Sequence, residues 1–407
     1  MTALALVPRE SAGAASCESD TASRESSAAS CESDAASREA ASPALRTDAV
    51  PSRDVRLVVV DTSRASAGAD AGVAGADARA SVEPRIVAFA ALPQLLAAGD
   101  LVVVNDAATL PGAIAGRTVD GRAFELRLSG PVDGSRVFGV VLGEGDRTLR
   151  TEERPAPPVL RANDRVRIGA LAATVVAAAG RRVELAMRAP EDALWRELYA
   201  AGAPVQYAHR PEALALWDVQ TSYAARPWAA EMPSAGRPLT WETLLALRRA
   251  GVELASLTHA AGLSSTGDAA LDRALPWPER YEIPRRTIDA IARTRARGGR
   301  VIAAGTTVVR ALEAAALGGE LHAGSGTATL RIDGRFAPRV VAGLVSGLHA
   351  PGESHFDLLS AFAPRELLVR ATELAAAHGL SGHELGDSCL ILRGPTSGPP
   401  GGRDHAA

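Results

Sequence analysis

The sequence predicts an α/β fold, with a main α/β domain and a small antiparallel β-barrel domain inserted into it. The first observation is a continuous apolar run, Val301–Ala304, followed by Gly305 and an amphipathic helix, which is typical of a buried strand leading into a helix. The second is a change of apolar period to two between Gly116 and Met187, in short segments broken by Gly, Pro and Asp. We therefore expect the main domain at residues 51–115 and 190–392 and the barrel at 116–189.

Both ends of the chain differ in composition from the predicted domains. Residues 1–50 are rich in Ser, Ala and Glu and contain a near repeat, SerCysGluSerAsp, that starts at Ser16 and again at Ser30. Such a segment buries little apolar surface, so we expect a disordered low-complexity tail there. A second loose tail is expected at residues 393–407.

Composition excludes several classes of protein. The 407 residues are enough for two domains, and the formal net charge of −3 gives no overall attraction to nucleic acid or membrane. All 44 basic residues other than histidine are arginine. No apolar run approaches the roughly 18 residues of a membrane span, and no secretory signal is evident. The 3 cysteines form neither a disulfide framework nor a zinc motif, so we expect a cytoplasmic protein.

The first half of the main domain is predicted to begin with a strand at Arg53–Asp61. A short helix follows from Leu92, then a Gly-Asp turn and a buried strand at Leu101–Val104. Asn105 and Asp106 form a polar pair at the end of that strand, where open α/β folds keep their polar chemistry.

The barrel segment is followed by further helices and strands of the main domain. Thr240 is predicted to cap a helix that stops at Gly251, and a second helix is predicted from Pro284 to Arg297. After Val301–Ala304 and its helix, we expect a strand at Val340–Val345, a helix at Pro364–His378 and a last strand within residues 386–392.

The turn at Gly305 is the clearest change from strand to helix in the sequence. Thr306 or Thr307 is predicted to cap the helix, and the N–H groups at its start favour anions. The alternative is an ordinary capped helix with Arg310 and Glu313 paired on its outer face.

No motif with a mechanism of its own is present. The chain has no GxGxxG after a strand, no phosphate-binding loop, no HExxH and no paired CxxC. His349 and His355 are six positions apart, which is not a helical metal spacing, so no metal site is predicted.

Several stretches are informative as an ordered set. They are ArgAspValArgLeu (53–57), GlyAspLeuValValValAsnAsp (99–106), GlnThrSerTyrAla (220–224), ProSerAlaGly (233–236), LeuThrHis (257–259), GluArgTyrGluIlePro (279–284), residues 298–313 around Gly305, HisAlaPro (349–351), LeuSerAlaPheAla (359–363) and GlyAsp (386–387). In this order the set resembles the S-adenosylmethionine:tRNA ribosyltransferase-isomerase family of the queuosine pathway. The resemblance covers about Arg53 to Leu392.

The resemblance implies a reaction and its partners. Enzymes of this family move the ribosyl group of S-adenosylmethionine, as co-substrate, onto a 7-aminomethyl-7-deazaguanine base in tRNA. The sulfonium acidifies the adjacent ribose C5′ hydrogens, so a positioned base is needed to remove one. Adenine leaves, the amine attacks, and an epoxide closes as methionine departs. A monomer or homodimer without a membrane partner is expected.

The resemblance also implies roles for residues at the matching positions. His259 and His349 match family histidines and are the candidates for proton transfer, with Asp106 as a third catalytic candidate; a buried, structurally satisfied histidine is the alternative for each. Asn105 and Asp106 are expected to orient ribose hydroxyls, although Asp106 equally suits the cap of a turn.

The remaining implied contacts are to the co-substrate and the acceptor. Gly305, Thr306, Thr307 and Arg310 are expected to bind the carboxylate of S-adenosylmethionine or a tRNA phosphate. Candidate substrate-binding residues are Arg53, Gly236 and Asp387, of which Asp387 would contact the amine of the modified base. A carboxylate before a strand is otherwise often a turn residue.

Departures from the family pattern leave alternatives open. The family's AsnAspThrArg ends here in Ala107 and Ala108, and a family histidine is replaced by Pro238. A MetHis pair becomes Pro276 and Trp277. The alternatives are therefore a paralogue that binds S-adenosylmethionine but uses another acceptor, or a non-catalytic RNA- or ligand-binding protein.

Residues 285–300 contain six arginines and are the candidate contact with tRNA. The alternative interpretation is a solvated helix face.

Overall fold

The computed structural model describes residues 45–46, 48–63 and 83–393. Most of the two predicted tails therefore lies outside the described residues. Where the tails are described, they are bonded to the main domain: the N–H of Arg46 donates to the Leu380 carbonyl at 3.0 Å and that of Arg393 to the Ala342 carbonyl at 3.0 Å. Arg46 and Arg393 lie outside the expected domain boundaries but form hydrogen bonds with the main domain.

The strands of the described residues form three sheets, of nine, six and two strands. They are β1 (Arg56–Asp61), β2 (Arg85–Ala88), β3 (Leu101–Asn105), β4 (Ala107–Thr109), β5 (Ala113–Thr118), β6 (Ala123–Leu128), β7 (Arg136–Gly143), β8 (Arg165–Ile168), β9 (Leu171–Ala179), β10 (Arg182–Met187), β11 (Arg226–Ala229), β12 (Glu253–His259), β13 (Glu279–Ile283), β14 (Val301–Ala304), β15 (Gly324–Ala328), β16 (Gly343–Gly347) and β17 (Ser388–Leu392).

The helices lie mainly in the second half. They are α1 (Leu92–Leu95), α2 (Glu191–Ala201), α3 (Trp241–Arg249), α4 (Ala269–Arg273), α5 (Arg285–Ala296), α6 (Thr306–Ala315), α7 (Ser354–Leu359) and α8 (Arg365–Ala377). The predicted cap of α3 is confirmed, because the hydroxyl of Thr240 accepts the N–H of Thr243 at 3.4 Å.

A nine-stranded sheet forms the main domain, in the order β15-β13-β12-β3-β14-β16-β17-β1-β2. The run β12-β3-β14-β16 is parallel. Alternate residues of β3 serve opposite faces: Leu101 and Val103 join the core that includes residues of α5, α6 and α8, whereas Val102 and Val104 join the core with α1 and α3. Helices on both faces explain why the central strands are apolar throughout.

The second unit of structure is a closed six-stranded antiparallel barrel, β10-β7-β6-β5-β8-β9. Inward-facing residues such as Leu126, Ile168 and Leu185 fill it. The predicted fold class, an α/β domain with a small barrel, is confirmed. Sequence patterning missed β5, whose Ala and Gly residues carry little apolar signal, and the barrel strands therefore begin at Ala113.

Helix α6 begins differently from the prediction. Gly305 is its N-cap with φ of 105°, a backbone conformation that favours glycine, and neither threonine caps the helix with its side chain. The alternative, a pair of Arg310 and Glu313 on the outer face of the helix, is wrong as well, since both residues are buried. The Glu313 carboxylate instead accepts backbone N–H groups of Arg339, Val340 and Val341.

Asn105 joins three elements at the end of the central strand. Its Oδ1 accepts the N–H groups of His259 at 2.9 Å and Ala107 at 3.1 Å. Its Nδ2 donates to the His259 carbonyl at 3.0 Å and to the Thr307 hydroxyl at 3.3 Å. The carboxamide is thereby fully used, and it ties β3 to the end of β12 and to the first turn of α6.

We expect Asn105→Asp to lower the free energy of unfolding by roughly 2–4 kcal/mol, because a buried carboxylate cannot donate to the His259 carbonyl or the Thr307 hydroxyl. Urea denaturation at pH 7 measures the change. Asn163→Asp, the same substitution at an exposed loop position, is the control and is expected to stay within about 0.5 kcal/mol. Equal effects of the two substitutions would contradict the role assigned to Asn105.

Candidate functional site

A cavity of about 940 Å³ lies where the main domain meets a loop of the barrel. The carboxyl ends of three parallel strands supply part of its wall, through residues 261–265 after β12, Gly305 after β14, and Ser346 and Gly347 in β16. Residues 150–152, between β7 and β8, supply the barrel side. The position agrees with the general preference of α/β sheets for ligands at the carboxyl ends of their strands.

The start of α6 gives the wall its free backbone donors. Gly305, Thr306 and Thr307 all line the cavity. The first N–H groups of a helix have no acceptor within it, and the helix dipole adds partial positive charge there. This part of the wall suits a carboxylate or phosphate oxygen.

A histidine and a carboxylate form a pair on the same wall. Nδ1 of His349 lies 3.1 Å from the carboxylate of Glu353, and the ring of His355 stacks on that of His349 with centroids 4.7 Å apart. Burial alone would raise the pKa of Glu353, but the hydrogen bond and charge of His349 lower it. Burial and the neighbouring His349 lower the pKa of His355 to about 4, so His355 is neutral near pH 7.

A second pair of the same kind lies beside the first. Nε2 of His209 is 2.9 Å from the Glu384 carboxylate, and the rings of His209 and His383 stack at 4.4 Å. Burial would raise the pKa of Glu384, but the hydrogen bond and charge of His209 outweigh it and hold the pKa at about 2. All three residues line the cavity.

Glu231 is a further carboxylate on the wall, held by neutral donors. It accepts the hydroxyl of Tyr207, the hydroxyl of Ser264 and, at 2.7 Å, the Ser264 N–H. Burial and the negative charge of Glu384 raise the pKa of Glu231 to about 7. Glu231 and Glu384 thus differ widely in pKa although they lie in one cavity.

Glu279 and Arg310, which also line the cavity, form a buried ion pair. The other carboxylate oxygen of Glu279 accepts the Gly262 N–H at 2.6 Å. Nε and Nη2 of Arg310 donate to backbone carbonyls, those of Leu330, Trp277 and Ala328. Arg310 reaches the cavity, but most of its donors hold surrounding backbone in place.

His259 lies against this ion pair, with Nε2 3.5 Å from the Glu279 carboxylate. Its side chain is 0% exposed and it is not part of the cavity lining. Burial and the positive charge of Arg310 lower the pKa of His259 to about 3. The ring is therefore neutral at physiological pH.

The structure brings five of the predicted site residues to the cavity: Gly305, Thr306, Thr307, Arg310 and His349. Asn105 and His259 lie one layer behind them. Asp106 accepts the hydroxyls of Ser256 at 2.8 Å and Thr258 at 2.6 Å, which ties β3 to β12. It does not line the cavity, and neither do the three predicted substrate-binding residues.

Asp387 and Gly236 have local structural roles, and Arg53 is exposed at the surface. Asp387 is buried and accepts the N–H groups of Arg56 at 2.7 Å and Ser381 at 2.9 Å. The Arg53 side chain is 87% exposed and lies 3.8 Å from Asp54. A Cβ at Gly236 would collide with the Tyr223 hydroxyl, so close packing requires glycine there. The spacing of these residues in the sequence did not reveal these contacts or the exposure of Arg53.

The arginines of residues 285–300 are mostly paired. Arg293 and Arg297 both contact Glu253, at 2.6 and 3.0 Å. Arg285 pairs with Asp289 and Arg300 with Asp100. These pairs favour the solvated helix face over a free basic patch.

Sequence reasoning missed most of the charged wall. Glu231, Glu279, Glu353, Glu384 and three histidines, His209, His355 and His383, were not among the candidate site residues. A signal existed for two of them, because Glu279 begins a family-like stretch and Glu353 is four residues after His349. Glu231 and Glu384 carry no local signal.

Within the described ranges, no group of three or more His, Cys, Asp or Glu side chains is arranged to hold a metal ion. None of the helices in the same ranges has the length and hydropathy that a membrane crossing requires.

Comparison with known proteins gives consistent results. The family profile described as "Queuosine biosynthesis protein" matches residues 48–391. An S-adenosylmethionine:tRNA ribosyltransferase-isomerase of Acidithiobacillus ferrooxidans is 34% identical over 307 residues, covering 74% of this chain and 85% of the relative. One of Anaeromyxobacter sp. (strain K) is 33% identical over 315 residues, covering 75% and 88%.

Among solved structures, a Thermotoga maritima S-adenosylmethionine tRNA ribosyltransferase is 21% identical with a TM-score of 0.45, covering 86% of this chain and 96% of that one. The profile match extends over most of the chain, and the relatives exceed 30% identity over about three quarters of it. This chain therefore belongs to the queuosine biosynthesis protein family.

Proposed function

We propose that this chain transfers and isomerises the ribosyl group of S-adenosylmethionine onto a 7-aminomethyl-7-deazaguanine base in tRNA. The observation that carries the proposal is the cavity in which the start of α6 and the His349–Glu353 pair face one space, in a chain whose relatives bear the name of this activity. The volume, about 940 Å³, is at the upper end of small-molecule sites and leaves room for a co-substrate and a base.

The start of α6 is the proposed site for the carboxylate of S-adenosylmethionine. Thr306 and Thr307 offer backbone N–H groups at the positive end of a ten-residue helix, and Gly305 lets the chain turn there. Arg310 also lines the cavity, but its charge is paired with Glu279, so the backbone N–H groups are the proposed contacts.

His349 is the proposed proton-transferring residue. Its Nδ1 contacts Glu353, which fixes the orientation of the ring and stabilises the imidazolium that forms when Nε2 takes a proton. Removal of a C5′ hydrogen next to the sulfonium is the step that needs such a base.

Asn105, Asp106 and His259 are proposed as positioning residues. Asn105 holds the start of α6, Asp106 ties β12 to β3, and His259 fills the space beside the Glu279–Arg310 ion pair. None of them needs to touch the substrate for its substitution to lower activity.

A tRNA acceptor implies that the reaction takes place in the cytoplasm. The acceptor and the cytoplasmic location are therefore parts of the same proposal. The proposed domain division, with a barrel insert between two parts of the α/β domain, lets the barrel loop at residues 150–152 close one side of the cavity.

We expect the protein to release adenine and methionine from S-adenosylmethionine when it is given tRNA that carries the aminomethyl base. His349→Gln should lower kcat by roughly 10²- to 10⁴-fold, because the glutamine cannot accept the proton. Chromatographic measurement of adenine release tests both statements.

His322→Gln is the matched control, since the His322 side chain is 75% exposed and lies outside the cavity lining. It should retain the rate of the unmodified protein. No adenine release by the unmodified protein, where an enzyme of the same family is active, would refute the proposed function. Full activity of His349→Gln would refute the role of His349 alone.

The depressed pKa of His259 predicts a pH-dependent stability. Below its ordinary pKa of 6.5 the unfolded chain binds a proton that the folded protein excludes down to about pH 3. The free energy of unfolding therefore falls by up to about 1.4 kcal/mol per pH unit as pH decreases through this window. His259→Gln should remove that part of the slope in urea titrations between pH 4 and 6, whereas His322→Gln should not; equal slopes in the unmodified protein and His259→Gln would contradict it.

A further inference from the structure

The carboxylates that line the cavity differ in the chemical type of their nearest partners. Among the described residues, six of these carboxylates have an arginine or histidine side chain within 4 Å. The pairs are Glu152 with Arg150, Glu279 with Arg310, Asp333 with Arg335, Glu353 with His349, Asp357 with Arg365, and Glu384 with His209. Glu231 has neutral partners alone: the hydroxyl of Tyr207 and the hydroxyl and N–H of Ser264.

The hydrogen bonds of Glu231 also show which oxygen is available. Oε1 accepts two donors, from Tyr207 and the Ser264 backbone, so both of its lone pairs are used. Oε2 accepts the Ser264 hydroxyl alone and retains a lone pair. The carboxylate is thus fixed on one side, with acceptor capacity left on the other.

A negative charge held in a largely desolvated wall without a cation is costly unless a ligand supplies one. Glu384 increases the cost, because its own charge is stabilised by His209 and remains negative beside Glu231. The groups that face Glu231 are therefore three neutral donors from two residues and one carboxylate, Glu384. Beyond Glu384 lie His209, His383 and Arg210, and the charges of Arg210 and Glu384 interact.

We propose that Glu231 is the binding site for a primary ammonium group of a substrate. The inference rests on the proposed function, which offers two sources of that group: the α-ammonium of S-adenosylmethionine and the aminomethyl group of the acceptor base. Ammonium supplies a positive charge and N–H donors, and Oε2 accepts one of them.

This assignment has a consequence for pH. A pKa of about 7 means that Glu231 gains a proton as pH falls below neutrality. The protonated acid no longer attracts an ammonium group, so affinity for the ligand should fall below pH 7, approaching tenfold per pH unit.

The test compares Glu231→Gln with Glu152→Gln at pH 8. Both remove one carboxylate from the same cavity, but Glu152 already has Arg150 as its partner. If the α-ammonium of S-adenosylmethionine is the ligand, calorimetry should show S-adenosylmethionine binding weakened about 10- to 100-fold by Glu231→Gln. Binding of 5′-methylthioadenosine, which lacks the ammonium group, should change less than about twofold.

If the aminomethyl group is the ligand, binding of S-adenosylmethionine should be unchanged and the KM for the modified tRNA should rise by a similar factor. In either case the fall in affinity below pH 7 should be lost in Glu231→Gln, and Glu231→Asp should restore part of the affinity. Unchanged values in both assays, or equal effects of Glu152→Gln, would overturn the proposal.

Thermal melting of each variant separates loss of binding from loss of folding, and Glu231→Asp, which keeps the charge, serves where Glu231→Gln does not fold. Absence of adenine release by the unmodified protein would count against the proposed function alone. The calorimetric comparison with 5′-methylthioadenosine would still report on Glu231.

Discussion

The four hydrogen bonds of the Asn105 carboxamide are the constraint on which the site depends. A parallel sheet brings the ends of β3, β12 and β14 to one edge but leaves their last polar groups without ladder partners. One side chain with two donors and two acceptors satisfies the end of β12 and holds the first turn of α6. The free N–H groups of that turn consequently face the cavity at a fixed position.

In the more deeply buried part of the wall, charged side chains are paired with opposite charges. The Glu279–Arg310 pair is buried, and the guanidinium's remaining donors bind backbone carbonyls, so the ion pair orders the loops beside β13 and β15. His259 remains neutral next to it because burial and Arg310 both oppose protonation. These groups define the shape of the wall, while Glu231, whose pKa is about 7, lies on the cavity side.

The cavity side of the wall carries pairs in which a histidine lowers the pKa of a carboxylate. His349 with Glu353 and His209 with Glu384 are histidine–carboxylate pairs, whereas Glu231 is held by the neutral donors of Tyr207 and Ser264. The family assignment covers the framework that positions these residues.

The sequence alone determined the fold class, because apolar runs and a change of period record burial directly, and it identified the family, because ordered local motifs need no contacts to be recognised. It also located the turn at Gly305 and the histidine at 349. Tertiary structure decided which polar residues face the cavity. Asp106 and Asp387 have the sequence context of site residues but bond to neighbouring strands and loops. Glu231 and Glu384 lie in loops far apart in sequence and interact in one wall, because the tertiary fold decides which loops meet and local spacing does not encode it.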